Sequence, residues 1–106
     1  MQQTPNLVYI KELAGDDTDF EKKFIQILKD EFPIELQTYT EHIAQQELVK
    51  AAEVVHKLKH KFNILSMSKA YEFAVVYEEE LKVGNTKMST EFSIILETIK
   101  NYLKTI

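Results

Sequence analysis

The sequence predicts an all-α protein, an antiparallel up-down-up-down four-helix bundle with a short additional N-terminal helix. Its length of 106 residues is that of one ordinary domain, so residues 1–106 are expected to form a single unit. Two glycines and two prolines are too few for the many tight turns of an all-β fold. Apolar residues recur three and four positions apart through most of the chain, which is the period of an amphipathic helix.

The first two elements are a short helix over residues 6–14 and a long helix after it. Gly15 follows the short helix, where a left-handed C-terminal cap is expected. Thr18 and Glu21 have the T-x-x-E spacing of a capping box, which predicts the start of the long helix. Pro33 predicts a bend in this helix, although two shorter helices also fit the pattern. The inward residues are predicted to be Phe20, Phe24, Ile27, Leu28, Ile34, Leu36, Tyr39 and Ile43.

Three further helices follow at short intervals. The third begins near Glu47, Ser66 and Ser68 are candidate N-caps of the fourth, and Ser89 is the candidate N-cap of the last. The inward positions of the third helix are predicted to be Ala51, Val55, Leu58, Phe62 and Leu65. Those of the fourth are Ala70, Phe73, Tyr77 and Leu81, and those of the last are Phe92, Ile95, Ile99, Leu103 and Ile106.

Composition excludes several classes of function. The absence of cysteine excludes disulfides and thiolate metal sites. The net charge of −4 argues against non-specific nucleic-acid binding, and the 13 basic residues are all lysine, so bidentate guanidinium recognition of phosphate is also excluded. With neither a secretory leader nor an apolar run long enough to span a bilayer, the chain is expected to be cytoplasmic and not membrane-bound.

One polar face of the third helix carries the clearest candidate for chemistry. His56, Lys59, His60 and Asn63 stand at i, i+3, i+4 and i+7 and therefore share a face, and Lys57 and Lys61 flank it. This face is offset from the apolar seam, so it is predicted to look outward. Its lysines make it a locally basic surface that favours an anionic group near the imidazole.

The stretch V-H-K-L-K-H around His56 resembles the H-x-L-K-G signature of histidine-containing phosphotransfer domains of bacterial two-component phosphorelays. The resemblance extends from about residue 7 to about residue 104. It includes Y-I-K-E-L-A-G-D-D-T-D-F near the start, the long helix with its internal proline, and A-Y-E-F...Y-E-E-E-L after the histidine helix.

The resemblance implies that His56 accepts a phosphoryl group from the aspartyl phosphate of a receiver domain and passes it to another receiver. Lys59 would offset charge on the phosphoryl oxygens. His60, Asn63 and Lys57 would contact receiver domains of response regulators or hybrid sensor kinases. Two residues depart from the family pattern: His60 replaces the family's small residue, and Ser66 replaces a glycine. A monomer without cofactor and without autonomous enzymatic activity is expected.

Alternatives follow from the same residues. His56 and His60 have the i, i+4 spacing of zinc ligands, but no H-E-x-x-H pattern and no nearby cysteine completes a site, and His42 lies on a different helix, so no metal site is predicted. The run of Glu78, Glu79 and Glu80 is interpreted as a solvated face, because consecutive helical residues point in different directions. The alternative function is a non-catalytic helical adaptor that binds a partner protein without phosphorylation.

Overall fold

Five helices make up most of the chain in the computed structural model, which describes residues 3–106. They are α1 (Val8–Ala14), α2 (Thr18–Ala44), α3 (Leu48–Ile64), α4 (Ser68–Lys82) and α5 (Ser89–Leu103). No strand occurs in the described range, so the all-helical class is confirmed. The 27 residues of α2 correspond to about 40 Å of helix, close to the longest dimension of the molecule, 45 Å. Within residues 3–106, every helix falls short of the length and apolar character needed to cross a membrane.

The start of α2 is capped by Asp17 rather than by Thr18. Asp17 has an extended backbone, and its carboxylate accepts a hydrogen bond of 2.9 Å from the amide of Phe20. Thr18 is already the first helical residue, so the capping box predicted for Thr18 and Glu21 is wrong. The T-x-x-E pattern predicted the wrong cap because Asp17, one position earlier, accepts the amide hydrogen bond with its carboxylate. The negative charge of this carboxylate also suits the positive end of the helix dipole.

The serine caps predicted for α4 and α5 are also wrong. Ser68 and Ser89 are the first helical residues of these helices, and the capping positions are Met67 and Met88, without side-chain hydrogen bonds. Pro33, in contrast, lies inside one continuous helix, which confirms the single-helix alternative for α2. The bend at Pro33 stays a prediction.

The end of α3 is closed by Ser66 in the left-handed conformation, with a φ of 64°. The amide of Ser66 donates to the carbonyl of Asn63 at 3.1 Å, and the amide of Met67 donates to that of Phe62 at 2.8 Å. This pair of hydrogen bonds is the Schellman motif, in which glycine is the preferred left-handed residue. The same motif ends α2 at Gln46 and α4 at Gly84. Ser66 therefore occupies, at a conformational cost, a left-handed position for which glycine is preferred.

Replacing Ser66 by glycine is expected to stabilise the protein by about 0.5 to 1 kcal/mol, because relief of the left-handed strain exceeds the added entropy of the unfolded chain. The urea midpoint measures the change. Ser68→Gly is the matched control, since Ser68 is helical and glycine should destabilise it. A Ser66→Gly midpoint at or below that of the wild type would contradict this account of the cap.

The core confirms the predicted seam of α3 and most of the inward positions after it. All five seam residues are at most 1% exposed: Ala51, Val55, Leu58, Phe62 and Leu65. In α4 and α5 the buried predicted residues are Ala70, Tyr77, Leu81, Phe92, Ile95, Ile99 and Leu103. Phe73 and Ile106 are partly buried against the core.

The inward stripe predicted for α2 is only partly right. Leu28 and Tyr39 are buried, and Phe24, Leu36 and Ile43 pack partly against the core. The remaining three predicted residues are exposed, namely Phe20 by 40%, Ile27 by 53% and Ile34 by 67%. They lie seven residues apart, on one line away from the buried side. The helix carries more apolar residues than one face can bury, so periodicity alone did not separate the two sides.

Two buried tyrosines join α2 to α4 at the centre of the core. The hydroxyls of Tyr39 and Tyr77 lie 2.5 Å apart. The ring of Phe92 in α5 lies 5.2 Å from that of Tyr39 and 4.8 Å from that of Tyr77, measured between centroids. Burial raises the pKa of both phenols above its usual value. One hydroxyl donates to the other, so each phenol oxygen has a hydrogen-bond partner inside the core.

Candidate functional site

His56 lies in the middle of α3 with its side chain 55% exposed. Its neighbours Val55 and Leu58 are fully buried. The helix therefore turns the imidazole away from the core, as the offset from the seam predicts. An exposed ring on a rigid, well-packed helix has a fixed position and an open approach from solvent.

A carboxylate from the next helix holds this imidazole. Glu78 in α4 has a side chain only 9% exposed, and its Oε2 lies 3.1 Å from His56 Nδ1. The other carboxylate oxygen, Oε1, accepts a hydrogen bond of 2.8 Å from Lys59 Nζ. Lys82, one helical turn after Glu78, places its ammonium 3.6 Å from Oε2. Glu78 therefore joins His56 and Lys59 in one buried-to-exposed network across the α3–α4 contact.

The ionisation of Glu78 determines the tautomer of His56. Burial by itself raises the pKa of this carboxyl, but the hydrogen bonds and charges of Lys59 and then of His56 outweigh it, so the pKa is lowered. An ionised carboxylate only accepts hydrogen bonds. Nδ1 of His56 must consequently carry the proton in the neutral ring, which leaves the lone pair on Nε2. The arrangement provides a nucleophilic nitrogen on an exposed imidazole whose orientation is fixed by its hydrogen bond with Glu78.

Lys59 occupies a different setting from the solvated one that its place on the polar face predicts. Its side chain is 11% exposed, and its ammonium pairs with Glu78 and lies 6.0 Å from the ring centroid of Tyr71. Lys59 contributes to the site mainly by fixing Glu78, because most of its charge is already paired with that carboxylate.

Lys61 does not flank the site, and the interpretation of Lys61 as part of the basic surface is wrong. Its side chain is 9% exposed, and Nζ lies 3.0 Å from Glu31 Oε1 and 3.0 Å from Glu35 Oε1 in α2. Lys61 directly precedes the buried Phe62 and lies on the side of α3 that faces α2. The ion pairs fasten α3 to α2, away from the imidazole.

The remaining predicted residues are all exposed, but they stand in different relations to His56. The ring of His60 lies edge-on to that of His56, with centroids 5.2 Å apart. Lys57 lines a concavity of about 650 Å³ beside His56, together with Val49, Ala52, Glu53, Glu78 and Lys82. Asn63 makes no side-chain hydrogen bond within the part of the chain that the structure describes. The structure thus brings His60 and Lys57 to the imidazole and leaves Asn63 further along the helix.

No group of three or more histidine, aspartate or glutamate side chains in residues 3–106 is arranged to hold a metal ion. The two imidazoles of α3 contact each other without a third ligand. The geometry of His56 and Glu78 offers a nucleophilic nitrogen beside a paired carboxylate.

Sequence reasoning missed Glu78 as part of the candidate site, and the interpretation of Glu78 as part of a solvated face is wrong. The neighbouring Glu79 is exposed and pairs with Lys82, whereas Glu78 is buried. The helical spacing of Glu78 from the apolar residues of α4 predicts its burial. Glu78 stands four residues after Ala74 and three before Leu81, both fully buried, so it continues the inward stripe of α4. A carboxylate at such a position needs a buried partner.

No protein-family model matches the chain, and neither a curated protein nor a solved structure matches it.

Lys59→Ala is expected to destabilise the protein by about 1 to 3 kcal/mol, because it leaves the buried carboxylate of Glu78 without its closest cation. The free energy of unfolding in urea at neutral pH measures the loss. Lys57→Ala removes an exposed lysine of the same helix that has no ion pair in the described residues, and it should change stability by less than about 0.5 kcal/mol. Equal effects of the two substitutions would show that the pair with Glu78 contributes nothing.

Proposed function

We propose that the protein is a phosphorelay carrier that accepts a phosphoryl group on His56 from the aspartyl phosphate of a receiver domain and passes it to another receiver. The observation that carries the proposal is the hydrogen bond between Glu78 and Nδ1 of an exposed His56, which leaves the lone pair of the neutral ring on Nε2. The resemblance of V-H-K-L-K-H to histidine-containing phosphotransfer domains supports the same residue independently.

The chemistry needs few groups from this chain. The Nε2 lone pair of His56 attacks the phosphorus of the aspartyl phosphate, a bond forms between nitrogen and phosphorus, and the bond from phosphorus to the aspartyl oxygen breaks. The electron pair leaves with the aspartate, which is restored as a carboxylate. The proton on Nδ1 stays in place, where the negative charge of Glu78 stabilises the positive charge that the ring acquires. The reverse reaction gives the phosphoryl group to the next receiver.

In this proposal the chain has no autonomous catalytic activity, because the receiver supplies the acidic pocket and its metal ion. Lys57 and His60 beside the imidazole, with Asn63 further along α3, form the docking face for the receiver. A monomer located in the cytoplasm suits this role. We also infer that α2 to α5 form the antiparallel bundle with α1 as an addition. The connections of three residues between α2, α3 and α4 support this arrangement, since short connections favour antiparallel neighbours.

His60 is the residue by which this docking face differs most from the family pattern. Its ring stands beside that of His56 and 6.5 Å from that of Tyr71, measured between centroids. A receiver that docks here meets an imidazole where the family offers a small residue. His60 therefore selects among receivers, because a partner surface shaped for a small residue is obstructed.

The proposal is tested in two separate incubations of the protein. The first uses a receiver domain phosphorylated by acetyl phosphate, and the second uses phosphoramidate, a small phosphoryl donor. The expected result is one acid-labile, base-stable phosphate per chain, located at Nε2 of His56 by ³¹P and ¹⁵N NMR. Failure to acquire acid-labile phosphate from any phosphorylated receiver of the same genome would instead support the non-catalytic helical adaptor.

A further inference from the structure

A second concave surface lies on another side of the molecule, between α2 and α5. This groove has a volume of about 440 Å³. Its floor consists of the buried Phe32 and Leu103 with the partly buried Leu36, and Pro33 forms part of its edge. None of its lining residues belongs to the concavity beside His56. The groove is therefore a separate, almost wholly apolar surface that the proposed phosphoryl transfer does not use.

The polar rim of this groove is almost entirely cationic. Lys29, Lys100 and Lys104 line it with the neutral Gln37, and no carboxylate does, in a chain whose 17 acidic residues outnumber its 13 basic ones. The ammonium of Lys29 donates to the carbonyl of Ile106 at 2.6 Å. Lys100 and Lys104 are exposed and have no ion pair or hydrogen bond from their side chains within residues 3–106. Lys100 lies in the last turn of α5 and Lys104 is the residue directly after the helix, still with a helical backbone, so the i, i+4 spacing presents two unpaired cations on one side.

The size and the charge of the groove together indicate the class of its occupant. A volume of about 440 Å³ lies within the usual range for small-molecule sites, which are mostly apolar with a few placed polar groups. Protein interfaces bury roughly 800 Å² on each partner, more than the few side chains of this floor can offer. Lysine stems extend along apolar surface and keep their charged ends in water. An apolar tail with a single anionic end matches this arrangement.

We propose that the groove binds a long-chain aliphatic carboxylate. The hydrocarbon chain lies against Phe32, Leu36 and Leu103, and the carboxylate lies between the ammonium groups of Lys100 and Lys104. This site is independent of His56, so its failure would leave the proposed phosphoryl transfer unaffected.

The test is a titration of isotope-labelled protein with sodium octanoate, decanoate and dodecanoate, each below its micelle concentration, followed by NMR. Saturable one-to-one shifts are expected at the methyl groups of Leu36 and Leu103. Affinity should rise about two- to fourfold for each added methylene, because each one removes further apolar surface from water. Shifts that neither saturate nor depend on chain length would overturn the proposal.

Matched ligands and variants test the role of charge. Decylammonium, with the same chain and the opposite charge, is expected to bind several-fold more weakly than decanoate. Lys100→Gln and Lys104→Gln should each weaken decanoate about threefold, as loss of an exposed charge pair does, whereas Lys87→Gln, an exposed lysine outside the groove, should leave affinity unchanged. Equal binding of decanoate and decylammonium, or unaltered decanoate binding in both groove variants, would exclude recognition of a carboxylate.

Occupancy of the floor is tested with Leu36→Glu, which places a carboxylate among the apolar side chains. This variant should lose saturable decanoate binding while circular dichroism shows that its helices persist. If Leu36→Glu fails to fold, the decanoate affinity of Lys100→Gln still tests the proposal. Shifts of the same methyl groups on concentrating the protein without ligand would assign the groove to a second copy of the chain and would overturn the proposal.

Discussion

His56→Gln is expected to abolish acceptance of a phosphoryl group while the protein stays folded. Glutamine has no nucleophilic ring nitrogen, but its amide can still donate a hydrogen bond to the buried Glu78. Because the side chain of His56 is 55% exposed, the free energy of unfolding should change by less than about 0.5 kcal/mol. Acid-labile phosphate after incubation with a phosphorylated receiver measures the first effect, and a urea midpoint measures the second.

His60→Gln is the matched control, because it changes the adjacent exposed imidazole in the same way. It should retain acceptance of the phosphoryl group, with altered rates for different receivers. If His56→Gln is phosphorylated like the wild type and His60→Gln is not, the acceptor is His60 and the proposed role of Glu78 is wrong.

Glu78→Gln is expected to slow phosphoryl acceptance by about 10- to 100-fold, by analogy with the loss of carboxylates that orient metal-bound imidazoles. The glutamine amide can donate to Nδ1 and thereby stabilise the tautomer that has its proton on Nε2. In that tautomer Nε2 has no lone pair available for attack on phosphorus. The variant also leaves the ammonium of Lys59 without its carboxylate, so stability should fall by about 1 to 3 kcal/mol. Single-turnover transfer kinetics and urea unfolding at pH 7 measure the two effects.

The control for this substitution is Glu79→Gln, which removes the neighbouring exposed carboxylate and should leave the transfer rate unchanged. The pH dependence of stability adds a second check. Because the pKa of Glu78 is lowered by folding, its contribution is present above the unfolded value of about 4.3 and is lost as pH falls through the lower folded value. The stability difference between wild type and Glu78→Gln should therefore shrink as pH falls below about 4. A normal transfer rate despite lost stability would reduce Glu78 to a structural residue.

The sequence predicted the helices better than it predicted their ends. Periodicity located α3 and its seam because Ala51 to Leu65 are apolar on one side only. It failed along α2, where Phe20, Ile27 and Ile34 are apolar but exposed. The caps failed for a local reason, since Asp17, Thr18, Ser66 and Ser68 are all acceptable at a helix boundary and neighbouring residues compete for the position.

The predicted site residues all lie on α3, whereas Glu78, which the sequence analysis missed, lies on α4. The spacing of His56, His60 and Asn63 on α3 predicts their exposure correctly, because the phase of a single helix is a local property. The pairing of Lys59 with Glu78 and of Lys61 with Glu31 depends on how α4 and α2 pack against α3. Sequence spacing does not specify that packing, so two lysines expected in solvent lie largely out of it, in ion pairs.

The buried Tyr39–Tyr77 hydroxyl pair sets an alkaline limit to the native state. Phenols in the unfolded chain ionise near pH 10, whereas burial raises the pKa of both tyrosines in the folded protein. Their contribution to stability is therefore present below about pH 10 and is lost as pH rises above it, because only the unfolded chain then gains the favourable ionisation. Strong alkali preserves phosphohistidine but favours unfolding of this core. If His56 carries the proposed phosphoryl group, samples kept in alkali would retain the phosphohistidine while losing the folded surface against which the proposed receiver docks.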